Sequence, residues 1–136
     1  MSVLETIQEE QAQVIALSRA LLYFIETADE ARQHRAKALL EANAVTGCRQ
    51  KGSTISGAVL SSGKGSYAVR VSVQLRRGIW TATSDCSCKD AERGTCKHAL
   101  ALAGEQLLTF RDRWSTLNSA AEVVFQLSSP LPEQAA

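Results

Sequence analysis

Two hydrophobic periods run along the chain, and the change from one to the other divides it. From Ser2 to about Glu41 there is neither glycine nor proline. Leu4, Val14, Leu17, Leu21, Phe24 and Ile25 form one apolar stripe, and Ile7, Val14, Leu21 and Ala28 recur every seven residues, which predicts a helix. Ser2 with Glu5 supplies a capping box at its start. The stripe fades after Ile25, and Glu26 to Lys37 is charged, with only alanines on the inner face. About forty helical residues would reach ~60 Å, too long to lie along a small domain. The helix therefore breaks near Thr27, where Thr27 and Glu30 can form a second capping box, or it projects. A projecting amphipathic helix needs a partner, and a second copy of the chain is the simplest one. The alternative is that its first half packs on the sheet.

Asn43 to Ser53, punctuated by Gly47 and Gly52, reads as a loop. After it the period becomes two. Thr54 to Leu60 reads as a strand, and Ser61 to Ser66 as a turn. Tyr67, Val69, Val71, Val73 and Leu75 then alternate with Ala68, Arg70, Ser72 and Gln74, the mark of a strand with one buried face. Arg76-Arg77-Gly78 is a tight turn, and Ile79 to Ser84 a third strand, completing an antiparallel meander. A helix opening at Thr95 or Cys96 carries Leu100, Leu102, Leu107, Leu108 and Phe110. Gly104 inside it implies close packing there, Arg111 and Arg113 stand near its end, and Trp114 closes the core. Ser119 with Glu122 caps a short last helix, although Val123 to Leu127 would serve equally as a strand. Ser128 to Ala136 is expected to be a flexible tail.

The chemistry is concentrated between the third strand and the helix, in Cys86-Ser-Cys88-Lys-Asp-Ala-Glu-Arg-Gly-Thr-Cys96-Lys-His98. Three thiolates and an imidazole are the donor set of a closed tetrahedral zinc site, and sulfur argues against calcium or magnesium. Two residues apart at a strand end, Cys86 and Cys88 project to one face. Cys96 and His98 stand at a helix start, where the unpaired N–H groups favour a thiolate. A Cys86–Cys88 disulfide would close a strained ring. Iron sites usually present C-x-x-C and four cysteines, and a reactive thiol would leave two cysteines unexplained. Cys48 is the leftover cysteine, a small buried thiol for which a fifth donor role is not needed. Arg32, His34, Arg35 and Lys37 read as a solvated helix face, and His34 has no cysteine or second histidine near it.

C-x-C, seven residues, then C-x-H at a helix start resembles the SWIM zinc finger. The resemblance covers roughly Thr54 to Phe110 and implies that Cys86, Cys88, Cys96 and His98 are ligands of one structural zinc ion. Members often have proline after the second cysteine; Lys89 stands there, a difference that concerns the turn and not the metal. The family occurs in Swi/Snf-type ATPases, transposases and recombination accessory proteins, and it is implicated in DNA binding and protein–protein contacts. The fold class expected is α+β: a long N-terminal helix, a three-stranded antiparallel meander, a zinc knuckle and a following helix, a ββα-like zinc module. Residues 1–42 are then a helical region for packing or dimerisation, 43–127 the zinc-binding domain and 128–136 the tail.

Charge sharpens the functional reading. The formal net charge is only +1. Met1 to Ala42 nevertheless holds four basic and seven acidic residues, and Asn43 to Arg113 eleven basic and five acidic. Lys64, Arg70, Arg76, Arg77, Lys89, Arg93 and Lys97 are the candidate contacts to phosphates of nucleic acid, DNA in preference to RNA. Few aromatics are present, which disfavours stacking on single strands. The second reading is a protein adaptor that docks a larger enzyme through the N-terminal helix or a sheet edge. No secretory signal or membrane span is visible, and free cysteines fit a reducing compartment, cytoplasmic or nuclear. No nucleophile elbow, P-loop, Rossmann glycine pattern or carboxylate pair near a histidine stands in the sequence, so a non-catalytic module is expected.

Overall fold

The computed structural model describes residues 2–60 and 65–128. Two helices come first, α1 (Val3–Glu26) and α2 (Glu30–Glu41). Four strands follow, β1 (Val45–Lys51), β2 (Thr54–Leu60), β3 (Ser66–Arg76) and β4 (Ile79–Cys86). A single 3-10 turn (Lys89–Arg93) leads to α3 (Lys97–Ser128). The class is α+β, and the sheet is an antiparallel meander in the order β1-β2-β3-β4. It has four strands, not the three expected.

The additional strand is β1, in the stretch read as a loop. Gly47 interrupts the strand without abolishing it, and Gly52 lies just beyond its end. Gly47, at a φ of 62°, sits in a β-bulge where the register jumps from Thr46↔Ala58 to Arg49↔Ser56. Gly52, at a φ of 61°, sits in the hairpin turn between Lys51 and Thr54. The β3–β4 hairpin matches the expectation: Arg77 (φ 52°) and Gly78 (φ 78°) link the paired residues Arg76 and Ile79, a two-residue turn suited to the twist of the strands. The expected turn at 61–64 and the expected tail at 129–136 lie outside the described residues.

The N-terminal helix does break near Thr27. Ser2 caps α1, its hydroxyl accepting from Glu5 N at 3.1 Å. The cap of α2 is Asp29, not Thr27: its carboxylate accepts from Arg32 N at 2.8 Å. Thr27 instead closes α1, its N–H donating to Tyr23 O. The chain after Arg113 also departs from expectation, because no short last helix or strand forms there. α3 continues to Ser128, about 48 Å at 1.5 Å per residue. Neither glycine nor proline stands between Glu105 and Ser128 to stop it, and α1 runs alongside it. Gln11 Nε2 donates to Asn118 Oδ1 at 2.8 Å, and Arg113 pairs with Glu10. Arg113 is therefore a mid-helix ion-pair partner and not a C-terminal cap.

The inner face of the sheet contributes Ile55, Val59, Val69, Val71 and Val73 to the core. α3 crosses this face, and α1 packs on α3 and on β4 with Leu17, Ala20, Leu21 and Phe24 buried. The first turns of α3, His98 to Ala103, are buried on every side. That explains the His-Ala-Leu-Ala-Leu-Ala run: a helix enclosed all round is apolar all round, and alanines admit close neighbours. The expectation about Gly104 holds. A Cβ there would lie 2.7 Å from Leu40 Cδ1 of α2, so the missing side chain lets the two helices meet. Trp114 packs half-buried against the same core. No helix among the described residues is long and apolar enough to cross a membrane.

Candidate metal centre

Each ligand is placed by a different element. Cys86 ends β4, paired with Val69 and on the same inner face. Cys88 precedes the 3-10 turn and is buried. Cys96 stands immediately before α3 and is fully buried, its sulfur accepting from Ala99 N at 3.4 Å in the manner of an N-cap. His98, in the first turn of α3, is 4% exposed, and its ring lies against Tyr67 of β3 with centroids 4.7 Å apart.

The four donor atoms lie within 4.8 Å of one another, and Cys86 Sγ is 3.8 Å from His98 Nδ1. A tetrahedral zinc ion with sulfur at ~2.3 Å and nitrogen at ~2.0 Å requires donor separations of about 3.5–3.8 Å. The Cys86–His98 separation matches this, and no pair exceeds it by more than about 1 Å, so the four donors surround a space of the size a zinc ion takes. No two of these sulfurs form a disulfide; all are free thiols.

The protein's own field does not ionise Cys86 or Cys96. Burial pushes the Cys86 thiol up to about 12, and the backbone N–H of Cys88 draws it only part of the way back. Cys96 is also raised by burial, and the Ala99 N–H pulls it only part of the way back. The expected helix-terminus preference for thiolate is thus present but outweighed. A divalent cation supplies the missing charge. His98 is lowered by burial and by Lys97, which keeps its ring neutral and able to ligate.

The family model of the SWIM zinc finger matches residues 69–106. The SWIM segment spans most of β3, β4, the metal loop and the first turns of α3, and it contains all four donors. It is shorter than the Thr54–Phe110 span of the resemblance read from the sequence, leaving out β2; β1 and both N-terminal helices lie outside either span. No curated protein and no solved structure matches the chain. The SWIM match and the Cys86–Cys88–Cys96–His98 cluster together give the chain one structural zinc ion.

The cations named from the sequence do not form one patch. Arg70 projects from the outer face of β3, where its guanidinium meets Asp85 at 3.4 Å. Arg76 and Arg77 sit at the β3–β4 turn, and Arg76 donates to Gln74 Oε1 at 2.6 Å. Lys89 and Lys97 flank the metal at the opposite end of β4, about 25 Å away at the ~3.4 Å rise of a strand. Lys64 and the side chain of Arg93 lie outside what the structure describes.

Two features were missed. Arg32, read as part of a solvated basic face, reaches the metal loop and binds Asp90. Arg49 and Lys51 stand on β1, across β2 from Arg70 and on the same outer face, a placement that reading the stretch as a loop does not give.

Proposed function

We propose that the chain is a non-catalytic binding module in which zinc orders a basic surface for the phosphate backbone of nucleic acid. The closed donor set supports a structural role: with four protein ligands the ion has no position left for water or substrate. The observation that carries the ligand class is charge. Across Asn43 to Arg113 eleven basic residues stand against five acidic ones, and Arg70, Arg76, Arg77 and Lys89, spread from the β3–β4 turn to the metal loop rather than gathered in one patch, are all exposed. Such a surface binds through phosphates, giving affinity with little base selectivity. Titrating the zinc-loaded protein into labelled 20-base-pair duplex tests this by fluorescence anisotropy. Binding should appear at low salt and weaken steeply as salt rises. No binding at low salt would contradict it.

One observation favours a protein partner as the second reading. Leu75 and Trp80 are paired across the β3–β4 hairpin and, with Ile79, leave apolar surface exposed at 56%, 39% and 65%. Exposed apolar side chains clustered at one hairpin end suit docking on a larger protein.

A further inference from the structure

The outer face of the sheet is the side turned away from α3. Its cross-strand rows are Arg49–Ser56–Arg70–Asp85 and Lys51–Thr54–Ser72–Thr83. The floor is made of small side chains, with Ala58 and Ala68 completing the next row. A shallow concavity of about 690 Å³ opens here, with Arg49, Ser56, Arg70 and Asp85 on its lining. Beside it lies a second one lined by Arg49, Lys51, Thr54, Ser56 and Arg70. The bulge at Gly47 bends β1 at the edge of the first.

The electrostatics of the face are one-sided. Arg49 and Lys51 are exposed, and among the described residues neither has an acidic partner. Arg70 meets Asp85 across a pair whose side chains are 60% and 76% exposed, so the attraction between them is weak and open to exchange. Adjacent strands lie ~4.8 Å apart, so Arg49 and Arg70, with Ser56 between them, are rooted about 10 Å from each other. No outward residue of the four strands is aromatic; Trp80 and Tyr67 lie on the inner side, in register with Leu75 and Val59.

We infer that this outer face, through Arg49, Lys51 and Arg70, is the docking surface for the backbone of a double-stranded nucleic acid, and that Asp85 restrains it by competing for Arg70. The inference rests on the proposed function and names its site. A concave face with small hydroxyl side chains lets a phosphate backbone approach closely and offers hydrogen-bond donors between the cations. Without an aromatic platform there is no gain from stacking unpaired bases. Duplex, with one charge per ~1.7 Å of axis, supplies the denser array of phosphates.

The test is anisotropy of labelled 20-base-pair duplex and of its separated single strand with the zinc-loaded full chain and three variants. Arg49→Glu with Lys51→Glu should weaken duplex binding by about tenfold or more and lower the slope of log affinity against log salt. Asp85→Asn should tighten it several-fold, an effect that damage to the fold would not produce. Zinc content and circular dichroism establish that each variant is folded. If the Arg49/Lys51 variant binds as the parent does while Arg76→Glu with Arg77→Glu loses binding, the site is overturned and the proposed function stands. Tighter binding of single strand than of duplex overturns the ligand named here. If the parent binds neither at low salt, both the site and the function fall.

Discussion

Arg32 and Asp90 are fifty-eight residues apart in the chain and hold each other by two parallel bonds. Arg32 Nε donates to Asp90 Oδ2 at 2.9 Å and Nη2 to Oδ1 at 2.8 Å. The third arm, Nη1, donates to Asp29 Oδ2 at 2.6 Å. Asp29 is also the cap of α2, and the Arg32 N–H bound to it holds its carboxyl below the usual range. The helix cap thus orients the guanidinium, and the guanidinium secures the loop between Cys88 and Cys96. A planar fork gripped on both sides is a geometry that lysine cannot supply. A residue outside the SWIM segment thus grips the loop that joins two of the metal ligands.

Removing this bridge should loosen the metal. In Arg32→Ala, zinc transfer to a colorimetric chelator is expected to be several-fold faster than in the parent, with Asp90→Asn similar. Arg32→Lys should recover only part of the loss, because a single ammonium cannot make the bidentate contact. Equal transfer rates in parent and Arg32→Ala would mean that the loop holds its shape unaided.

Gly57 and Gly104 both lie where a Cβ would crowd a neighbour, yet they should respond differently to alanine. At Gly57 the Cβ would meet Thr46 O at 3.2 Å and Cys48 Cα at 3.3 Å, both backbone, besides Leu102 Cδ1 at 2.9 Å. Backbone at a bulge cannot retreat, so Gly57→Ala should cost about 1–3 kcal/mol of unfolding free energy. At Gly104 the neighbour is the end of the Leu40 side chain, which can turn. The ~1 kcal/mol gain in helix propensity should offset the crowding there and leave Gly104→Ala close to the parent. Denaturant unfolding curves distinguish the two.

These comparisons show which parts of the molecule local pattern could reveal. The metal ligands were legible because C-x-C and C-x-H fix donor type and spacing within one short stretch. β2 and the alternation of β3 were legible because one buried face writes itself as period two. β1 was not, because Gly47 and Gly52 serve equally in a loop and in a bulged hairpin. Only pairing with β2 decides between them. The length of α3 depends on α1, whose Gln11 and Glu10 reach Asn118 and Arg113 far along the chain. Arg32–Asp90 was invisible for the same reason, since the sequence gives no sign that a basic helix face will meet a metal loop.

Cys48 is a thiol outside the metal site, and its environment predicts an alkaline effect. Burial, with the charge of Glu105 adding to it, pushes Cys48 up to about 11 from the ordinary value of about 9. As pH rises through that window the unfolded chain gives up a proton that the folded chain retains. Its contribution to stability is therefore intact below pH ~9 and is lost progressively toward pH ~11. Cys48→Ala should lose less stability than the parent between about pH 9 and pH 11, seen as a smaller fall in the denaturation midpoint followed by circular dichroism. The same alkaline loss in both proteins would contradict this.

Zinc uptake should release protons. Cys86 is raised to about 12 and Cys96 is raised as well, so at neutral pH the metal must displace both protons, while His98 is already neutral. Affinity should fall as pH falls, because protons compete for the sulfurs. Calorimetry in buffers of different ionisation enthalpy should report about two or more protons per zinc. A value near zero would mean that the thiols are ionised before the metal arrives.

The central claim is that one zinc ion sits among Cys86, Cys88, Cys96 and His98. X-ray absorption at the zinc edge of the purified chain, combined with metal analysis, tests it most directly. One zinc per chain is expected, in a shell of three sulfurs at ~2.3 Å and one nitrogen at ~2.0 Å. A chain that folds without bound metal, or a shell dominated by oxygen and nitrogen, would contradict it.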